Sequence, residues 1–179
     1  IGSSIAIIVS SPVMLILCIL IKLTSPGPLI YKQERVGLHN QTFRMYKFRS
    51  MEIQPEAEEK KAWTVKNDPR VTAIGRFMRR TSLDELPQLF NILKGDMSLV
   101  GTRPPTVDEF NNYEPYQRKR ISIKPGITGM WQVSGRSSIT DFDDIVKLDC
   151  EYIDNWSVSK DIKILIKTVW VVLFGRGAE

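Results

Sequence analysis

IAIIVSSPVMLILCILI occupies residues 5–21, and no other part of the chain constrains its architecture so strongly. The longer window of residues 1–21 holds 15 apolar residues and no charge. At a rise of 1.5 Å per residue, a helix of that length reaches about 31 Å, which matches the hydrocarbon core of a bilayer. The sequence therefore predicts that the chain begins with a membrane-embedded helix.

Ser11 and Pro12 lie in the middle of this helix. Proline removes a helical N–H and collides with the carbonyl four residues earlier, so it bends a helix, and a neighbouring serine hydroxyl can satisfy the freed carbonyl. A bend permits either a shallow re-entrant hairpin or a kinked span, and the residues alone leave both open. The cations that follow, Lys22, Lys32 and Arg35, indicate that the exit side is cytoplasmic. A signal peptide is disfavoured, because no charged n-region or small-residue cleavage site frames the segment.

Downstream, apolar periodicity and Pro/Gly punctuation predict four further elements. They are a β-hairpin of residues 29–35 and 42–49, an amphipathic helix over 81–93, a helix over 142–156 with Asp149 on its solvent side, and an apolar helix over 162–174. The last is too short to cross a bilayer and fits either a core helix or a membrane interface with Trp156 and Trp170. Residues 52–67 are charge-dense and predict a solvated helix or a mobile loop.

Composition excludes several kinds of site. The chain has one His and two Cys in 179 residues, so disulfide frameworks and His-dependent zinc sites or triads lose their support. Acid–base chemistry must come from carboxylates, Lys or Tyr. A net charge of +5 without a recognised reader motif disfavours nucleic acid as a partner. Arginine clusters beside a bilayer have an ordinary explanation in anionic headgroups, but Arg103 and Arg136 stand in Gly/Pro loops that suit a phosphate or pyrophosphate.

Asp84 and Glu85 form a carboxylate pair at the start of the predicted helix over 81–93. Ser82 and Glu85 match a capping box, and on composition alone this structural role is the commoner explanation. The alternative is catalytic: one carboxylate attacks phosphorus as a nucleophile while its neighbour holds Mg²⁺, with the nearby arginines neutralising phosphate oxygens.

Five motifs occur in an order that is highly specific. They are the Ser11–Pro12 break, YKFRSM at 46–51, TSLDELPQLFNILKGDMSLVG at 81–101, the Arg103–Pro104 loop and KPGITGMWQVSGR at 124–136. Together they resemble the bacterial sugar transferases, also called monotopic phosphoglycosyl transferases, over nearly the whole chain. One departure is that Thr102 stands where this family usually has proline before the arginine, which predicts a less rigid loop on that side. The C-terminal FGRGAE is more similar to the longer capsule and exopolysaccharide initiators of the family.

The resemblance implies an α+β fold, with a mostly helical cytosolic domain and a small β-hairpin. Residues 1–25 would form a kinked re-entrant membrane helix, with the kink at Ser11 and Pro12. Residues 26–179 would form a catalytic domain that rests, with interfacial amphipathic helices, on the cytoplasmic face of the bacterial inner membrane. Its partners would be a UDP-sugar, polyprenyl phosphate and membrane lipids, with an oligomer left open.

The resemblance also implies roles for individual residues. Asp84 would attack the sugar-bearing phosphate of a UDP-sugar and release UMP, and polyprenyl phosphate would then accept the phosphosugar. Glu85, together with Asp84, would hold Mg²⁺ as the metal partner of the pair. Positions that match the family's substrate-binding residues are Lys47, Arg79, Arg103, Gln132, Arg136 and Asp149.

Two other functions stay open at this point. One is a single-displacement transferase in which both carboxylates only bind Mg²⁺ while the lipid phosphate attacks directly. The other is a non-catalytic membrane scaffold that binds anionic lipid through its arginine clusters. Glucose or galactose is the sugar that the resemblance to the longer initiators suggests.

Overall fold

The computed structural model describes residues 2–53, 68–135, 139 and 141–174. Within these ranges seven α-helices and four β-strands follow one another. In chain order they are α1 (Gly2–Thr24), β1 (Ile30–Val36), β2 (Thr42–Phe48), α2 (Ala73–Arg80), α3 (Gln88–Lys94), β3 (Ser98–Val100), α4 (Val107–Asn111), β4 (Gly126–Thr128), α5 (Met130–Val133), α6 (Phe142–Asp154) and α7 (Val158–Phe174). Short 3₁₀ turns cover Leu38–Asn40, Leu83–Glu85 and Gln117–Ile121. The mixed helical and strand character agrees with the predicted fold class.

The predicted apolar helix is present as α1, which contains Pro12 without a break in the helix. Ser11 Oγ donates a hydrogen bond of 2.8 Å to the carbonyl of Ile8, the group that an N–H at position 12 would otherwise reach. This confirms that a serine hydroxyl satisfies the freed carbonyl. Among the described residues α1 is the one helix long and apolar enough to cross a membrane, and 11% of its apolar window is buried in the protein. It can serve as a membrane anchor.

The predicted hairpin is confirmed with nearly the expected bounds. β1 and β2 pair antiparallel, from Ile30 opposite Phe48 to Val36 opposite Thr42. The chain reverses through residues 37–41, where His39 and Asn40 adopt positive φ angles of 56° and 61°. Such left-handed residues allow a short reversal, and asparagine tolerates the conformation better than most side chains.

The C-terminal half of α1 belongs to the body of the protein. Leu17 and Ile21 are buried together with Phe48 of β2 and Met78 of α2, and we call this cluster the anchor core. Leu83 and Leu86, on either side of the carboxylate pair, pack against it. The turn that carries Asp84 and Glu85 is thus fixed to the same apolar cluster as the membrane helix.

The prediction of one helix over residues 81–93 was wrong. The chain instead forms the 3₁₀ turn Leu83–Glu85 followed by α3, which begins at Gln88. Pro87 has no N–H to bond the carbonyl of Leu83, and its ring would clash with that carbonyl. The N–H of Leu86 donates to Leu83 O instead, at 3.3 Å.

The predicted capping box is also wrong. Ser82 adopts φ 55° and ψ 17°, the left-handed conformation, and its side chain makes no capping hydrogen bond. A capping serine has extended backbone, which turns its hydroxyl toward the following N–H groups. Ser82 and Glu85 therefore do not form a capping box here.

A second, parallel sheet was not predicted. β3 and β4 pair with Ser98 opposite Gly126 and Val100 opposite Thr128. The backbones approach so closely that a Cβ on Gly126 would lie 2.1 Å from Gly101 N, so this position requires glycine. Val100 packs with Tyr152 of α6 and Ile164 of α7 in a second cluster, the rear core.

Two predicted helices are confirmed near the C-terminus, with shifted bounds. α6 ends at Asp154, and α7 begins at Val158, four residues before the predicted start. Ile164 of α7 is buried in the rear core, whereas Ile166 and Trp170 are 66% and 64% exposed. The prediction for residues 52–67 falls largely on residues 54–67, which lie outside the described ranges.

Candidate active site

A narrow polar cleft opens between β2, the carboxylate turn and the loop after β3. Its polar lining comes from Arg35, Lys47, Glu85, Gln88, Arg103 and Gln132. These six residues come from five separate segments of the chain, and four of them, Lys47, Glu85, Arg103 and Gln132, are predicted site residues. Among the described lining residues three are cations and one is a carboxylate, so the cleft favours an anionic ligand.

Lys47 and Glu85 form an ion pair in this cleft. The Nζ of Lys47 lies 2.8 Å from Oε1 of Glu85, and the two side chains are 20% and 14% exposed. Strand β2 carries Lys47, with Met45 and Phe48 buried beside it, and the strand is held by the hairpin register. The pair fixes the Glu85 carboxylate at the cleft and leaves both groups near solvent.

Asp84 lies beside Glu85 in the same turn and is only 8% exposed. The flanking leucines, Leu83 and Leu86, anchor the turn in the anchor core. Glu85 lines the cleft, whereas Asp84, its neighbour in the chain, is not among the described residues that line it. This low exposure restricts the access of bulk water to the carboxylate.

The loop that carries Arg103 is firmly held, contrary to the expectation for Thr102. Thr102 is 2% exposed, and its hydroxyl donates to Arg120 O at 2.6 Å. Its carbonyl accepts from Gly126 N at 2.9 Å. Two hydrogen bonds thus provide the rigidity that proline would have supplied through its fixed φ. The guanidinium of Arg103 lies over the ring of Trp131, 5.8 Å from its centre.

Gln132 presents an unusual polar group at the cleft. Its Nε2 donates to Ile127 O at 3.1 Å, but its Oε1 is buried without a hydrogen-bond partner among the described residues. Nε1 of the neighbouring Trp131 is likewise buried and unpartnered in the described part of the chain. Buried polar atoms of this kind are rare in folded proteins, and a bound ligand, ion or water molecule is one explanation for them.

The structure does not bring every predicted residue into the cleft. Arg79 donates through Nε to Ser50 Oγ at 2.9 Å and is absent from the described cleft lining. Arg136 lies outside the described residues.

The prediction that Asp149 faces solvent was wrong. Asp149 is 2% exposed, and its Oδ2 accepts from Arg120 Nε at 2.8 Å. Burial raises the pKa of Asp149 above its ordinary value, while Arg120 acts in the opposite direction. The available sign was its spacing, three residues from each of the buried apolar residues Val146 and Tyr152, whereas its partner Arg120 lies 29 residues away in the sequence.

Sequence reasoning missed two of the polar cleft residues, Arg35 and Gln88. Gln88 begins α3 directly after Pro87 and is 3% exposed. Arg35 is the penultimate residue of β1 and is 5% exposed. A signal existed only for Gln88, because it follows the carboxylate pair by three residues and sits at the start of a helix.

The carboxylate pair fits one mode of magnesium binding. Within the described residues no group of three or more His, Cys, Asp or Glu side chains is gathered to hold a metal. Magnesium, however, is often bound by one or two carboxylates together with substrate phosphates and water. Asp84 and Glu85 are carboxylates of the kind that this second mode requires.

Comparison with known proteins agrees with the motifs. The model of the family described as bacterial sugar transferase matches residues 1–175. The galactosyl transferase CpsE of Streptococcus agalactiae is 55% identical, over 86% of this chain and 36% of that protein. The undecaprenyl-phosphate galactose phosphotransferase of Salmonella typhimurium is 48% identical, over 96% of this chain and 39% of that protein.

A shorter relative is covered over most of its length. The exopolysaccharide production protein ExoY of Rhizobium meliloti is 38% identical, over 99% of this chain and 84% of that protein. Against CpsE and the Salmonella phosphotransferase the chain spans only 36% and 39% of the relative. Because the family model covers the anchor helix, the carboxylate turn and the cleft loops alike, the chain belongs to the bacterial sugar transferase family.

Proposed function

We propose that this chain is a phosphoglycosyl transferase that moves a sugar 1-phosphate from a UDP-sugar to polyprenyl phosphate, with undecaprenyl phosphate as the lipid. The product starts the assembly of a capsule, exopolysaccharide or related glycan. The observation that carries the proposal is the cleft, where Lys47, Glu85 and Arg103 meet beside Asp84. Relatives named for undecaprenyl phosphate and galactose or glucose support the same reaction.

The proposed chemistry has two displacements at one phosphorus atom. A carboxylate oxygen of Asp84 attacks the sugar-bearing phosphorus, and the bond to the bridging oxygen breaks with its electron pair, which leaves as part of UMP. The phosphosugar is then held on Asp84 as an acyl phosphate. An oxygen of polyprenyl phosphate attacks the same phosphorus, and the bond to Asp84 breaks, which restores the carboxylate and yields polyprenyl diphosphate sugar.

The environment of Asp84 suits a covalent intermediate. Because Asp84 is only 8% exposed, bulk water has little access to an acyl phosphate formed there. The cations Lys47 and Arg103 at the cleft neutralise phosphate oxygens and reduce the repulsion that an attacking carboxylate meets. Gln132 Oε1, buried without a described partner, can accept a hydroxyl or N–H of the donor.

Magnesium is proposed as the cofactor, held by Glu85 and Asp84 with phosphate oxygens of the donor. When bound, the ion would supply charge neutralisation at the phosphates. We expect Glu85→Gln to weaken activity and to reduce its dependence on Mg²⁺, measured as rate against Mg²⁺ concentration. An unchanged Mg²⁺ profile in this variant would remove Glu85 from the metal site.

The protein is proposed to rest on the cytoplasmic face of the bacterial inner membrane. Ile8, Val9 and Leu23 of α1 are more than 70% exposed, as apolar residues facing lipid would be. The outer face of α7 adds Ile166 and Trp170 beside lysines, a composition that favours an interface.

A re-entrant course of α1 has support from both of its ends. Leu17 and Ile21 are buried in the anchor core. At the other end Ser3 is 8% exposed, and a Cβ on Gly2 would lie 3.6 Å from Leu99 Cδ1. A helix that crossed the membrane would carry its first residues about 30 Å away from the body.

The topology can be tested in whole cells with a label at the N-terminus of this segment. We expect the label to be cytoplasmic, and Pro12→Ala to move it toward the opposite face. A periplasmic label in the unaltered protein would overturn the re-entrant proposal, and a cytoplasmic label in both would show that Pro12 is not the determinant.

The reaction itself is tested without lipid. The purified protein is mixed with UDP-glucose or UDP-galactose and Mg²⁺, and we expect one equivalent of UMP and a phosphohexose adduct on the peptide that holds Asp84. Adduct formation should be lost in Asp84→Asn and retained in Asp108→Asn, which alters an exposed carboxylate away from the cleft.

Other outcomes distinguish the competing functions. UMP that appears only after polyprenyl phosphate is added would favour single displacement over the covalent route. Lipid binding without any metal-dependent UMP would favour the scaffold.

A further inference from the structure

Three cations line the cleft among the described residues, and Arg35 is the one that was not predicted to be a site residue. It is the penultimate residue of β1, its side chain is 6% exposed, and it lines the cleft together with Arg103 and Lys47. A buried arginine is costly unless its donors are used, so the partners of Arg35 show what it holds in place.

The partners of Arg35 belong to the loop that carries Arg103. Its Nη1 donates to Pro104 O at 2.9 Å, directly after Arg103 in the chain. The next strand residue, Val36, donates its N–H to Pro105 O at 3.0 Å, and Arg35 itself forms a bridge with Thr106. The end of β1 is thus fastened to three successive residues of the loop.

The guanidinium of Arg35 is also contacted by two acceptor side chains, Gln33 and Glu109. Nε and Nη2 both donate to Oε1 of Gln33, at 3.2 and 2.7 Å. Oε2 of Glu109 lies 3.5 Å from Nη1 and also accepts the N–H of Thr106 at 2.7 Å. Arg35 therefore has little rotational freedom, and the position of Pro104 O follows from it.

The charges of Arg35 and Arg103 influence one another. Burial, followed by the nearby charge of Arg103, lowers the pKa of Arg35 to about 10. Arg35 is still protonated at neutral pH, so two like charges lie close together at the cleft. An anionic ligand between or beside them relieves this repulsion.

We propose that Arg35 is a positioning residue for the transfer reaction: its bond to Pro104 O fixes the Arg103 loop so that the Arg103 guanidinium faces the diphosphate of the donor. The inference rests on the proposed function, and it adds that Arg35 acts through Arg103 rather than on the substrate. Removal of Arg35 should then harm donor binding only while Arg103 is present.

The test is a double-mutant cycle with Arg35→Gln, Arg103→Gln and the double variant. The kcat and KM for UDP-glucose are measured for each in the UMP-release assay with undecaprenyl phosphate. We expect Arg35→Gln to reduce kcat/KM by about 10- to 100-fold, mainly through KM, as for the loss of a hydrogen bond to a charged group. In the Arg103→Gln background the same change should have less than about a threefold effect.

Two further variants control for charge and for folding. Arg44→Gln removes one cation from an exposed position on β2 and should alter kcat/KM by less than about twofold. Arg35→Lys keeps a cation that can still donate to Pro104 O, so we expect it to recover kcat/KM to within about fivefold of the unaltered protein. If Arg35→Gln fails to fold, the cycle is run with Arg35→Met, which keeps a long side chain at this buried position but cannot donate to Pro104 O.

A second measurement needs no substrate. It uses a variant in which Trp131 is the only tryptophan left. Quenching of its fluorescence by acrylamide reports how well the guanidinium of Arg103, 5.8 Å from the ring centre, shields the ring. We expect Arg35→Gln to raise the quenching constant to the value found for Arg103→Gln. An inactive unaltered protein would refute the proposed function while leaving this measurement valid. Multiplicative effects in the cycle, or unchanged quenching, would overturn the role of Arg35.

Discussion

Lys47–Glu85 and Arg120–Asp149 are ion pairs of the same chemical kind in two regions of the molecule. Their donor–acceptor distances are both 2.8 Å. The first lies at the cleft with side chains 20% and 14% exposed, whereas the second lies behind the Arg103 loop with side chains 4% and 2% exposed. Three of the four residues matched family site positions, yet only the first pair can meet a ligand. Burial, not residue type, distinguishes the pair at the cleft from the pair behind the loop.

The largest effect is expected at Asp84. Asp84→Asn removes the proposed nucleophile but keeps the size of the side chain, so we expect transfer to fall on the order of 10⁴-fold or more. The thermal unfolding midpoint should stay close to that of the unaltered protein. Transfer activity is measured as UMP release with UDP-galactose and undecaprenyl phosphate. The unfolding midpoint is measured by circular dichroism in detergent. Near-normal turnover would exclude Asp84 as the nucleophile.

The second largest effect is expected on stability, at the buried pair Arg120–Asp149. Asp149→Asn leaves Arg120 as a buried charge without its carboxylate, and such losses cost about 3–5 kcal/mol of unfolding free energy. Arg120→Met combined with Asp149→Leu removes both charges and should regain most of that stability. Urea unfolding measures this. If Asp149 instead contacts substrate, the double variant will be stable but inactive.

A smaller effect is expected at the cleft pair. Lys47→Gln removes a cation that contacts Glu85, and we expect kcat/KM to fall by about 10- to 100-fold, as when a charge-assisted hydrogen bond is lost. The unfolding free energy should fall by less than for Asp149→Asn, because this pair is less buried than Arg120–Asp149. Lys32→Gln, on the exposed surface of β1, is the matched control. A large loss of stability would give this pair a supporting role as well.

The smallest effect concerns Thr102. Thr102→Val keeps the shape of the side chain but removes its hydrogen bond to Arg120 O, which we expect to cost about 1 kcal/mol of unfolding free energy. Thr102→Pro restores the residue usual in the family and should preserve activity if the loop accepts its backbone restriction. Loss of activity in Thr102→Val without loss of stability would show that the hydroxyl contributes beyond holding the loop.

Elements with a strong local signal were predictable. The apolar run gave α1, the polar turn between two alternating segments gave the hairpin, and apolar spacing gave α6 and α7. β3 and β4 were missed because each is three residues long and its partner lies 28 positions away. The break at Pro87 was missed because leucine spacing continues through it, although proline cannot continue the hydrogen bonds of a helix.

The motifs were enough to predict the carboxylate pair, Lys47 and Arg103 as site residues. They did not show whether a given side chain faces solvent, the cleft or the protein interior. Asp149 was misplaced because charged residues on a helix normally face water, and its buried partner comes from another element. Arg35 gave no signal, since a cation at the end of an exposed-looking hairpin is ordinary.

The sequence by itself determined the apolar anchor, the hairpin and the motifs that identify the family, because each depends on residues close together in the chain. Only the tertiary structure decided that Glu85 pairs with Lys47, that Asp149 is sealed behind the Arg103 loop, and that Arg35 holds that loop. Those arrangements depend on contacts between residues 29–69 positions apart, and burial, which fixes their energetic role, exists only once the chain has packed.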